Sequence, residues 1–234
     1  MKNTLFLIFL NFMSLNVQAI VQEESFKTTA SEFEKFILPL GKAVIPNYKK
    51  TIKLHRDKLD FGAFETEPMQ VNIGLLNSRD MTVDAVTLIM CHEIGHDLKI
   101  ARYYTPAGLK YAFSHLEQDY FATFACIMPF FKNAHLETRM GRKTQEFNSI
   151  PLGLQTRCST HFRDHKDVTN CLRSVDASLI AIVSIYDEIL KVQYQQSNLP
   201  KPALDREWLG PADTLQARLE TFVNGIFGDL PFDG

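Results

Sequence analysis

Two histidines and a glutamate lie inside a run of this chain that is otherwise apolar nearly all round. The run starts at Thr82 and passes through Val83, Val86, Leu88, Ile89, Met90 and Cys91 into His92-Glu93-Ile94-Gly95-His96. Apolar residues on almost every face at helical spacing predict a central helix, buried on all sides. Thr82 is the expected N-cap, and Asp84 falls in the first turn, where a carboxylate suits the positive end of the helix. Imidazoles and a carboxylate in such a helix are costly to bury without partners. The fold therefore has to bring something to meet them.

Residues four apart share a helix face, so His92 and His96 point the same way and can hold one metal ion. Glu93 stands beside the first ligand, within reach of a water at that metal. Zinc lowers the pKa of such a water and polarises a carbonyl, and Glu93 is then placed to take the proton and pass it to a leaving amine. This division of roles is the chemistry of H-E-x-x-H, and it predicts a zinc metallopeptidase acting on a peptide or protein substrate. Gly95 fits a close approach by a neighbouring chain segment, because it adds no bulk there.

The chain opens with Met1-Lys2-Asn3-Thr4, runs through the apolar Leu5 to Met13, and reaches the small-residue site Val17-Gln18-Ala19. That order predicts a secretory signal peptide over residues 1–19, cleaved after Ala19, and a periplasmic or secreted protein of one domain over 20–234. No later segment is expected to span a bilayer. The formal net charge is −2, and the cations are scattered rather than gathered into a stripe, which argues against nucleic acid. The oligomeric state is not written in these features. An exported chain meets an oxidising environment, so four cysteines allow up to two disulfides. Cys158 and Cys171 are the expected pair, because they bracket a short polar segment. Cys91 and Cys126 lie in apolar runs and read as buried thiols.

Elsewhere, Phe26, Phe33, Phe36, Ile37 and Leu40 recur at helical spacing and predict a helix from about 24 to 44. Alternation in 51–55 and 69–73, with Phe61-Gly62-Ala63-Phe64 between, predicts a small, mainly antiparallel sheet packed on the motif helix. The strand from Met69 is placed to line a cleft as an edge strand that a peptide could join. Further helices are expected at about 109–131, 171–193 and 214–227, with loop and a short helix over 133–170. The fold class is α+β and mostly helical. His161 and His165 are four apart but lie in a polar segment, and they read as surface residues.

A catalytic zinc needs a third protein ligand. The best stretch for it is Ser114-His115-Leu116-Glu117-Gln118-Asp119-Tyr120-Phe121-Ala122. Together with His92-Glu93-Ile94-Gly95-His96 and the terminal Gly210-Pro211 to Arg218 element, this stretch resembles the gluzincin peptidases of the CaaX-protease and HtpX kind, especially their secreted bacterial members. The resemblance covers about a quarter of the chain. It implies a zincin-like domain, one catalytic zinc, and a second helix carrying a ligand Glu four residues before an Asp that supports a zinc-binding histidine. Laid on Asp119, that ligand position holds His115 instead of Glu. Either His115 takes the third position or Glu117 does so in a shifted register; the i, i+4 relation to Asp119 favours His115. Asp119 would orient His92 or His96 through a hydrogen bond. The His before the family's proline is replaced by Gly210, and Arg218 is either a support for the site or an ordinary surface residue. The altered ligand leaves a second expectation beside the peptidase: a catalytically inactive zinc-binding module with a binding or chaperone-like role.

Overall fold

The computed structural model describes residues 21, 23–58, 63–64, 67–78, 80–98, 115–133, 147, 150–196 and 215–229. The expected signal peptide, the start of the second helix at 109–114 and the Gly210-Pro211 element lie outside them. Helix α1 (Glu23–Val44) follows the predicted periodicity: Phe26, Ala30, Phe33 and Ile37 form its buried stripe. Glu23 and Glu24 stand in its first turn and Lys42 in its last, as the helix dipole favours.

Three short strands follow, β1 (Ile52–His55), β2 (Ala63–Phe64) and β3 (Met69–Asn72), in the order β1-β3-β2. The sheet corrects the expectation of a mainly antiparallel arrangement. Its longer pair, β1 with β3, is parallel, with Ile52 opposite Met69 and His55 opposite Asn72. Only the two-residue β2 runs antiparallel to β3. Side chains alternate with the same period in either direction, so the sequence pattern is blind to strand sense. The chain between β1 and β3 is long enough to return to the starting end of the sheet, which is what a parallel neighbour requires. A second correction follows. β3 is central, paired on both sides and carrying the fully buried Met69 and Val71, so it is not an edge strand. β2 is the strand that lies against the motif helix. Residues Ile73–Leu76 turn into a short helix, α2, rather than extending the strand.

The motif helix α3 (Val83–Asp97) begins where expected. The Thr82 hydroxyl accepts a hydrogen bond from the Ala85 amide at 3.2 Å, and Asp84 sits in the first turn. Asp84 is buried yet paired: Arg173 donates to both of its carboxylate oxygens at 2.9 Å, and the guanidinium lies 3.8 Å over the Phe131 ring. A fork-to-carboxylate bond of this kind satisfies both charges in the core. Residues 115–133 form one continuous rod of three parts: α4 (His115–Phe121), a π-helical segment (Ala122–Ile127) and α5 (Met128–Asn133).

The remaining described elements are helices: α6 (Leu152–His161), α7 (His165–Gln196) and α8 (Leu215–Phe227). α7 starts earlier than its apolar stripe suggests, because Asp164 caps it: its carboxylate accepts from the amides of Lys166 at 2.8 Å and Asp167 at 3.4 Å. Its first turn is polar and solvated, which hides it from a reading based on apolar periodicity. The stretch His165–Ile185 is long and apolar enough to cross a membrane, contrary to expectation. It is also 61% buried within the protein, packed against α3 and α8, which is the position of a core helix.

Both pairs of cysteines form disulfides. Cys158–Cys171 ties α6 to α7 as expected. Cys91–Cys126 corrects the expectation of buried thiols: it joins α3 to the π-helical segment. His161 and His165 are exposed, in line with the surface reading.

Candidate metal centre

α3 and α4 cross closely enough to face their histidines toward each other. A Cβ added to Gly95 would stand 3.2 Å from the Gln118 Cα and 3.1 Å from its Cγ, tighter than ordinary contact, so glycine lets the helices meet closely at this point. Across this crossing, His92 Nε2 lies 3.0 Å from His96 Nε2 and 3.2 Å from His115 Nδ1. The three ligand nitrogens all fall within 4.8 Å of one another. Two nitrogens held at roughly 2.0–2.1 Å by a tetrahedral ion stand about 3.3 Å apart, so the spacing fits a shared metal. Among the described residues this is the one group of convergent His, Cys, Asp or Glu ligands, and it can hold a metal ion.

The electrostatics leave the nitrogens free to coordinate. Burial lowers the His96 pKa to about 3, with repulsion from His92 and His115 acting in the same direction. Burial likewise lowers His115 to about 4, helped by His92 and Arg218. Both imidazoles are therefore neutral near pH 7 and keep a lone pair. Asp119 is fully buried; burial alone would raise its pKa, but Arg218 and His92 override this and hold it at about 2. An ionised carboxylate can only accept, so the 2.7 Å contact between His92 Nδ1 and Asp119 Oδ1 requires the proton on Nδ1. That fixes the tautomer and turns the Nε2 lone pair inward, as expected of Asp119.

Arg218 completes the arrangement from α8. Its Nε donates to Asp119 Oδ2 at 2.7 Å and its Nη2 to Oδ1 at 2.9 Å, and its side chain is almost wholly buried. Arg218 is thus no ordinary surface residue: it backs the carboxylate that orients His92. α8 can come this close because Gly225 sits on the π-helical segment. A Cβ there would lie 2.0 Å from Thr123 Oγ1 and 2.8 Å from the Tyr120 carbonyl oxygen. The Thr123 hydroxyl itself donates to the carbonyls of Asp119 and Tyr120, each at 3.2 Å.

Of the two proposed third ligands, the structure brings His115 to the group. Glu117 is buried on the same helix but is not among the convergent ligands. Glu93, between the ligands on α3, is partly exposed. Two contributors were missed in the sequence. Cys126 reaches Cys91, next to His92. Lys50, nearly fully buried, pairs with Asp97 at the C-terminal end of α3 at 3.1 Å. The only sequence signal for Lys50 was a cation directly before a strand, which is too common to single out.

If the group holds a metal, His115→Ala should weaken its binding by more than about 100-fold, because loss of an orienting group alone costs about 10- to 100-fold. Glu117→Ala should leave the affinity unchanged. Competition with a chromophoric chelator measures both, and the reverse ranking would reassign the third ligand.

Comparison with protein-family models, with curated proteins and with solved structures finds no match to this chain.

Proposed function

We propose that this chain is an exported zinc-dependent peptidase that hydrolyses peptide bonds in exported or envelope proteins. The observation that carries the reading is the convergence of His92 Nε2, His96 Nε2 and His115 Nδ1 beside Glu93. The donor set fits zinc: three imidazoles form a known catalytic set, and they leave a fourth position open. A zinc ion there would supply a Lewis acid and a water of lowered pKa. The chain's own residues supply the rest. Glu93 takes a proton from the attacking water and delivers it to the leaving amine. Asp119 holds His92 in one tautomer, and Arg218 keeps Asp119 ionised and in place. Two disulfides suit an oxidising compartment, which agrees with a periplasmic or secreted protein and with the expected signal peptide over 1–19.

Chelation tests this reading as a whole. The purified protein should carry one zinc per chain, lose peptide cleavage on dialysis against a chelator, and regain it on adding zinc. Free zinc at a hundred times its Kd should also raise the unfolding free energy by up to about 2.7 kcal/mol, the limit for an ion with no affinity for the unfolded chain. Zinc binding without cleavage by the wild type would favour the inactive zinc-binding module. Absence of zinc binding would sink both.

A further inference from the structure

Every proposed ligand lies inside the covalent ring closed by Cys91 and Cys126. The two cysteines are 35 positions apart, and His92, Glu93, His96, His115 and Asp119 all fall between them. Cys91 directly precedes His92 on α3. Cys126 lies on the same rod as His115 and Asp119, in its π-helical part. Both side chains are fully buried, and their Cα atoms are 5.7 Å apart. The second disulfide, Cys158–Cys171, closes a ring of 13 positions that contains none of these residues.

Without a metal, convergent imidazole nitrogens gain little from facing one another. Something else has to keep α3 and α4 together. The Gly95–Gln118 crossing and the His92–Asp119 bond are non-covalent and can open. We propose that the Cys91–Cys126 disulfide is a positioning element of the metal centre, holding the two ligand-bearing helices at binding distance before the ion arrives. Bringing His115 to His92 and His96 is itself a loop closure. A cross-link around the same loop removes the open conformations that binding would otherwise have to collapse. The inference rests on the metal-centre reading and does not depend on peptidase activity.

The test compares the two disulfides in the full-length protein, reading zinc affinity by chelator competition and stability by thermal melting. Cys91→Ala/Cys126→Ala should bind zinc about 10- to 100-fold more weakly, the range found when groups that orient metal ligands are lost. Cys158→Ala/Cys171→Ala should melt at a lower temperature yet keep wild-type zinc affinity. Cys91→Val/Cys126→Ala refills the buried space and should show the same loss of affinity if packing is not the cause. Should neither site variant fold alone, the zinc concentration for half-maximal recovery of helix signal takes the place of the Kd. It should then lie at least tenfold above the wild-type Kd. Wild-type affinity in the site variants would overturn the proposal, and so would an equal loss in both disulfide pairs. A wild type that binds no zinc overturns the metal-centre reading and this inference with it.

Discussion

Glu93→Gln should slow peptide cleavage by at least about 100-fold while leaving the zinc content of the protein unchanged. Glutamine keeps the length and shape of the side chain but cannot accept and return a proton near neutral pH. Loss of a general base typically costs about 10²- to 10⁴-fold in rate. The change should spare the metal, because the convergent ligand group consists of His92, His96 and His115 and does not include Glu93. It should also spare the fold, because Glu93 is partly exposed whereas its neighbours His92 and Ile94 are buried. Initial rates on a quenched fluorescent peptide, set beside metal analysis of the same sample, separate the two effects. A variant that cleaves as fast as the wild type would remove Glu93 from the proposed chemistry. A variant that loses its zinc would make Glu93 a structural part of the centre instead.

What the sequence disclosed about this centre follows the range of the interactions involved. α3 was legible because all its determinants are local: the Thr82 cap, the apolar positions and the histidine spacing each act within a few residues. His115 was preferred over Glu117 for a similarly local reason, its i, i+4 relation to Asp119. Sheet direction was not legible, since Ile52–His55 and Met69–Asn72 alternate in the same way whichever sense they pair. The Cys91–Cys126 bond was hidden because each cysteine looks like one more apolar residue on a buried helix face. Arg218 is the most instructive case. Its contact with Asp119 spans 99 positions, and no periodicity encodes such a pairing. A signal did exist, however. Arg218 precedes the buried Phe222 by four residues, so it belongs to the inward stripe of α8, where an arginine needs a buried acid.

That buried acid makes Asp119→Asn the substitution with the largest expected effect on stability. Asp119 has no exposed surface and serves two donors, the Nδ1–H of His92 and the guanidinium fork of Arg218. Asparagine preserves the volume but offers one acceptor oxygen where two were used. Its amide N–H₂ must then face a donor, and Arg218 is left charged in a site with almost no water. Removing one partner of a buried ion pair typically costs about 3–5 kcal/mol, because the other member loses a charge that offset its burial. Metal affinity should fall as well, by about 10- to 100-fold, as His92 loses the group that fixes its tautomer. Adding Arg218→Met to Asp119→Asn distinguishes the two losses. The second change removes the guanidinium that has lost this carboxylate, so denaturant unfolding should show part of the stability restored. Zinc competition should show no such recovery, because nothing in the double variant returns the carboxylate to His92. If stability and affinity recover together, Asp119 acts on the centre only through packing. If Asp119→Asn alone alters neither, the Arg218–Asp119–His92 chain does not support the metal centre.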